Sequence, residues 1–139
     1  MERVLLAVGI ALVVAVLAIV LDRRRPQPPS QPRWAVPDQL DRADFDRPGA
    51  PWLVSVFTSA TCDSCATAVA RAQELASADV VVQEVEVGAY GDLHRRYNVE
   101  AVPTLVVADR QGVVRASIVG PPADGELEEA FASLQPLQD

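Results

Sequence analysis

The chain has 139 residues, with 12 basic side chains, all arginine, against 19 Asp plus Glu, a net charge of −7. That length holds one domain and an appendage. From Trp34 onward 7 Arg face 17 acidic residues, a net of −10, which excludes nucleic acid and anionic lipid as docking partners for that part of the chain, because both are polyanions.

The appendage comes first. Val4 to Leu21 is a run of 18 residues without a charged or polar side chain. At about 1.5 Å per residue it makes roughly 27 Å of helix, near the lower limit for crossing a hydrocarbon core of about 30 Å. It is longer than the apolar core of about 7–15 residues found in secretory signals, and a cleavage after Ala18 would fall inside it. Residues 1–21 are therefore predicted to be a retained, single-pass transmembrane anchor. Arg23, Arg24 and Arg25 follow at once, whereas the other flank carries Arg3 offset by Glu2. Positive residues stay cytoplasmic, so the bias places the rest of the chain on that side, with an extracytoplasmic domain as the alternative. Residues 22–33 hold Pro26, Pro28, Pro29 and Pro32 among polar residues. Such a stretch is a semi-rigid, extended spacer.

Residues 34–139 form the predicted domain. Val36 to Leu40 is a candidate first strand, and Asp41 can cap a short helix through Phe45 before Pro48-Gly49-Ala50-Pro51 breaks it. Trp52 to Phe57 has the composition of a buried central strand. Helix is expected from Cys62 to Ala78, with Val69, Ala70, Gln73 and Ala76 near one face. Val80 to Val87 suits a strand, with Val81, Val85 and Val87 on one side and Val82, Glu84 and Glu86 on the other. Gly88 to Tyr97 is loop plus short helix, in which His94 between Leu93 and two arginines is expected to face solvent. Val99 to Ala108 is the next strand, Asp109-Arg110-Gln111-Gly112 a turn, and Val113 to Val119 an antiparallel return. Ala123 to Leu134 closes the chain as an amphipathic helix with Leu127, Ala130, Phe131 and Leu134 inward. The order β-α-β-α-β-α-β-β-α implies a mixed sheet covered on both faces. Trp52 is expected in the core or at a strand edge.

Cys62 and Cys65 are the only cysteines, and they fall where the strand gives way to helix. The first turn of a helix leaves N–H groups unpaired, and their partial positive charge favours a thiolate over a thiol. Cys62, nearer the helix start, is the expected attacking sulfur, and Cys65 can reach it one turn later. Two other readings compete. Half of a zinc site would need two further ligands, for which the chain offers only His94 as an imidazole. A purely structural disulfide would close too short a loop to add much stability.

Cys62-Asp63-Ser64-Cys65 after a hydrophobic strand, Val102-Pro103-Thr104 before the apolar run Leu105-Val106-Val107, and Gly120 further on together resemble the thioredoxin family, over about residues 36 to 135. The resemblance implies a thioredoxin-like α/β fold, a central mixed β-sheet flanked by helices, here preceded by the transmembrane helix. It also implies a cis bond before Pro103, facing the disulfide. A proline there brings no amide proton close to the thiols. Val102, Pro103 and Thr104 then line the groove for an extended substrate, and Gly120 lets the chain turn or approach that face closely.

Three departures from the family pattern bear on chemistry. Thr61 replaces the usual tryptophan, and Asp63-Ser64 the usual Gly-Pro. A negative Asp63 beside Cys62 disfavours its thiolate, so Asp63 and Ser64 are expected to tune the couple towards reducing substrates. The buried aspartate that many members use as a proton acceptor is Val56 here, which leaves Glu84, on the neighbouring strand, as the candidate substitute base. Nothing resembles the intervening histidine of oxidising relatives. The function implied is a membrane-anchored thiol–disulfide oxidoreductase acting as a reductant on disulfide-containing proteins, regenerated by a thiol carrier or membrane electron donor, with no cofactor and no metal. The alternative is a tethered interaction or redox-sensing module without turnover.

Overall fold

A computed structural model of the chain describes Met1, residues 13–16 and residues 34–135. The anchor at 1–21, apart from Met1 and the helical residues 13–16, and the linker at 22–33 lie outside the described residues. Among the described residues no helix is long and apolar enough to cross a membrane. By its contacts the chain divides into two units, Met1–Arg33 and Trp34–Asp139.

The second unit is built on strand β1 (Trp52–Thr58), in which every residue after Trp52 is buried. A strand with nothing but buried side chains needs cover on both faces. Helices and an N-terminal turn supply it. Leu53 and Phe57 point into one core with Leu40, Phe45, Val81, Val85, Tyr97 and Val106. Val54 and Val56 point into the other with Ala68, Ala72, Leu105, Val107, Leu127 and Phe131. The sheet also holds β2 (Val80–Glu86), β3 (Thr104–Ala108) and β4 (Val114–Val119), in the order β2-β1-β3-β4. β1 runs parallel to β2 and antiparallel to β3, and β3 antiparallel to β4. Helices α1 (Cys65–Gln73), α2 (Val87–Arg96) and α3 (Glu126–Leu134) complete the unit.

The expected mixed sheet with helices is present, but several elements are shorter than the sequence implied. The strand expected at Val36 to Leu40 reduces to one antiparallel bridge, Gln39 with Val113, flanked by Leu40 N–H donating to the Gly112 carbonyl and Val114 N–H donating to the Asp38 carbonyl. The helix after Asp41 is a single 3₁₀ turn, Arg42–Asp44, whose first free amide, Ala43 N–H, donates to Asp41 Oδ1 at 3.0 Å. α1 begins only at Cys65, and beyond Gln73 it tightens into turns in which Glu74, Leu75 and Ala76 donate three residues back. Its inward residues are Cys65, Ala68 and Ala72, with Val69 at the margin; Ala70, Gln73 and Ala76 are exposed. Val87 opens α2 instead of ending β2, and Val99 to Pro103 is loop.

His94 corrects the largest misreading. It is 6% exposed, stacks edge-on against Phe57 at 5.2 Å between centroids, and places Nε2 2.7 Å from the carbonyl of Val85. α2 departs from helical geometry at Tyr90 (φ −123°, ψ 37°). That break shifts the phase of the residues behind it and turns His94 inward. Trp52 is half-buried and packs edge-on against Phe131 at 5.5 Å, a core role.

Phe57 tests this two-faced core. It is fully buried beneath α2, so Phe57→Ala should cost about 3–5 kcal/mol of unfolding free energy in urea, against about 0.5 kcal/mol or less for Val119→Ala at the exposed end of β4.

Candidate functional site

β1 ends at Thr58, and residues 59–64 carry the chain off the sheet into α1. Cys62 N–H donates to the Ser59 carbonyl at 3.1 Å, closing a turn, and Cys65 N–H donates to the Cys62 carbonyl at 3.4 Å, closing the next. Ser59 Oγ sits 3.1 Å from Thr61 Oγ1. The result is a hydrogen-bonded lead-in that delivers Cys62 just ahead of the helix. Cys62 and Cys65 form a disulfide with Cα atoms 5.5 Å apart.

The two sulfurs are not equivalent. Cys65 is the first residue of α1 and only 4% exposed, whereas Cys62 is half-buried and accessible. Of the two, Cys62 is therefore the one open to solvent. Ser64 occupies the position before the helix, yet its hydroxyl caps no amide of α1. It lies instead 3.8 Å from Cys62 Sγ. Asp63 is exposed beside it. The sulfurs are bonded to each other, and among the described residues no three His, Cys, Asp or Glu side chains gather as a metal site.

Strand register brings the second part of the site to the same end of the sheet. Phe57 is paired with Thr104, so Pro103, the loop residue just before β3, lies alongside the last residue of β1. The Val102–Pro103 peptide is cis. Pro103 and Thr104 are buried while Val102 is partly exposed, and Thr104 Oγ1 donates to the Ala101 carbonyl at 2.7 Å. Gly120 N–H donates to the Pro103 carbonyl at 2.8 Å with Gly120 at φ 93°, a conformation that side-chain-bearing residues rarely adopt. Val119, just before it, is exposed.

Glu84 pairs with Val56, which is fully buried and apolar, and its carboxylate accepts from Thr58 Oγ1 at 2.7 Å. Its side chain is exposed on β2 and engaged by threonine, not by either sulfur.

Glu86, two residues on along β2, is a nearer neighbour of the cysteine turn. It ends β2 and caps α2, with Oε2 accepting from Gly88 N–H at 2.8 Å and from Ala89 N–H at 3.1 Å. Its other oxygen accepts from Ala60 N–H at 3.2 Å, inside the turn that leads to Cys62. The signal was present as an acidic residue at a strand-to-helix junction. What concealed it was the extension of β2 through Val87.

No protein-family model and no curated protein matches the chain. Solved structures do. The germline-specific thioredoxin Deadhead of Drosophila melanogaster aligns at 24% identity and a TM-score of 0.57, covering 73% of this chain and 99% of its own. Mitochondrial thioredoxin 3 of Saccharomyces cerevisiae aligns at 25% identity and 0.52, covering 61% and 80%. A mutant thioredoxin from Halobacterium salinarum aligns at 23% and 0.54, covering 65% and 80%. The chain has the thioredoxin fold. In that fold the Cys62–Cys65 disulfide and the cis Val102–Pro103 peptide share one end of the sheet.

Hydrogen bonding from Gly88 N–H, helped by Ala89 and Ala60, holds the Glu86 carboxyl below its ordinary value of 4.5. A carboxyl depressed in the folded state contributes stability that is complete above the unfolded value and lost as pH falls through the folded one. The urea midpoint of the wild-type protein should fall as pH is lowered from about 5 to about 3, and Glu86→Gln should show a smaller fall over that window.

Proposed function

We propose that the protein is a membrane-anchored thiol–disulfide oxidoreductase that reduces disulfides in protein substrates. The observation that carries it is the accessible Cys62, bonded to a buried Cys65 at the start of α1 and set at the same end of the sheet as the cis Val102–Pro103 bond. In the reduced protein the Cys62 thiolate attacks one sulfur of a substrate disulfide, forming a Cys62–substrate disulfide and releasing a substrate thiolate. The Cys65 thiolate then attacks Cys62 Sγ, closing the Cys62–Cys65 disulfide and releasing the second substrate thiolate. Two electrons pass to the substrate, and the oxidised protein is regenerated by a dithiol carrier or a membrane electron donor.

Val102, Pro103 and Thr104 hold an extended substrate segment alongside the sulfurs, and the exposed Val119 gives that segment an apolar wall. Asp63 opposes the Cys62 thiolate through its charge and biases the couple towards donating electrons. Ser64, with its hydroxyl 3.8 Å from Cys62 Sγ, tunes the same sulfur in the opposite sense by donating to the thiolate. With Val56 buried at the central-strand position, Glu84 is the proposed acceptor for the Cys65 proton, acting through water. The same apolar Val56 favours a second reading, a tethered redox-sensing module in which exchange occurs without turnover.

The apolar run Val4 to Leu21 is the proposed single membrane span, and the charge of Arg23, Arg24 and Arg25 favours the cytoplasmic side for residues 34–139.

Two measurements check these assignments. Insulin-disulfide reduction by the full chain with dithiothreitol as donor should be abolished in Cys62→Ser, while Cys65→Ser should accumulate a mixed disulfide with substrate. No turnover by a correctly folded wild type would favour the sensing module. For orientation, a reporter fused after Asp139 should be active only when it is of the cytoplasmic type, and activity of the extracytoplasmic type would reverse the proposed topology.

A further inference from the structure

The segment Ser59 to Thr61 has left the sheet but not yet entered α1, so its backbone amides have no ladder partner. Just beyond it Cys62 N–H closes a turn on the Ser59 carbonyl, and Ala60 is the second residue of that turn. Its N–H is aimed outward at Glu86, whose carboxylate receives it at 3.2 Å with one oxygen while the other caps α2 through Gly88 and Ala89. A single side chain thus ties the turn that carries Cys62 to the first turn of α2. The tie crosses between segments whose strands are already in register, since Thr58 pairs with Glu86.

We propose that Glu86 is a positioning residue for disulfide exchange, fixing the Ser59–Cys62 turn so that Cys62 Sγ is held in line for attack. The inference rests on the reading of Cys62 as the attacking sulfur. Capping α2 needs one carboxylate oxygen only. The second oxygen has the geometry of a clamp, and it is the acceptor that the Ala60 amide has in this structure. α2 also begins with the exposed apolar side chains of Val87 and Tyr90. A substrate lying across them bears on the element that Glu86 joins to the thiol, so the clamp sets the distance between substrate and sulfur as well as the angle of attack.

The test separates the clamp from the cap and from the charge. Glu86→Ser keeps a good helix cap but is too short to reach Ala60. Ala60→Pro removes the amide proton from the other side and suits the second position of a turn. Each variant and the double variant, made in the full chain, are reduced, and the second-order rate of Cys62 alkylation by iodoacetamide is followed from about pH 5 to pH 10 alongside insulin reduction. Glu86→Ser should slow thiolate alkylation and insulin reduction roughly tenfold in the wild-type background, but less than about twofold in Ala60→Pro, because there is then no hydrogen bond left to lose. A Glu86→Ser effect of equal size in both backgrounds would show that only the cap or the charge matters and would overturn the proposal. So would an alkylation profile in Glu86→Ser indistinguishable from that of the wild type. If the wild type itself reduces no insulin, the enzyme reading fails, and the alkylation cycle alone still decides whether Glu86 holds Cys62.

Discussion

The pairing of Phe57 with Thr104 is the constraint on which the site depends. It fixes how far β3 slides along β1, and with it which residue of the loop before β3 stands beside the end of the central strand. In this register that residue is Pro103, and the chain leaving β1 five residues beyond Phe57 is at Cys62. A slip of one residue would turn Leu105 and Val107 out of the core they share with α1 and α3 and send Val106 into it, exchanging the two faces. The burial of both faces therefore locks the register, and the register places the proline. Active-site geometry is here a consequence of core packing at some remove.

Around the disulfide the local forces oppose one another. In the proposed reading the start of α1 favours a thiolate on the sulfur that precedes it, while Asp63, exposed between the cysteines, adds a negative charge that opposes it. Ser64 would ordinarily give its hydroxyl to the free amides of α1, but the hydroxyl is near Cys62 Sγ and the amides are left uncapped. The helix gives up the free energy of a cap, about 1 kcal/mol, and the sulfur gains a neighbour that can donate to it. A proline in place of Ser64 could not make that contact.

The sequence made legible what periodicity and residue chemistry control. The buried strand at Trp52–Thr58, the amphipathic closing helix and the hairpin through Asp109 to Gly112 follow from local pattern, and the cysteine corner from its position between strand and helix. Local pattern failed where a tertiary contact decided the outcome. His94 carries a polar label and sits between arginines, yet the break at Tyr90 rotates it under Phe57 and the Val85 carbonyl satisfies its ring nitrogen. The ends of α1 were overextended because alanine favours helix at every position, and only the turn bonds of Ser59 to Cys65 show where the helix begins. Glu86 could be read from the sequence as a helix-capping acid but not as a neighbour of the cysteine turn, because its partner there, the Ala60 amide, is a backbone group brought to it by the β1–β2 pairing.

That last case shows how the two halves of the domain become one site. β1 ends in the thiol turn and β2 ends in α2, and parallel neighbours necessarily deliver their following loops to the same end of a sheet. Two loops that arrive together with unpaired amides create a shared need for an acceptor. A carboxylate answers it better than a neutral side chain, since it has two oxygens and bonds to a charged acceptor are stronger. At Glu86 it accepts three amides from two segments, which makes the strand-to-helix junction of β2 a structural part of the corner that holds Cys62.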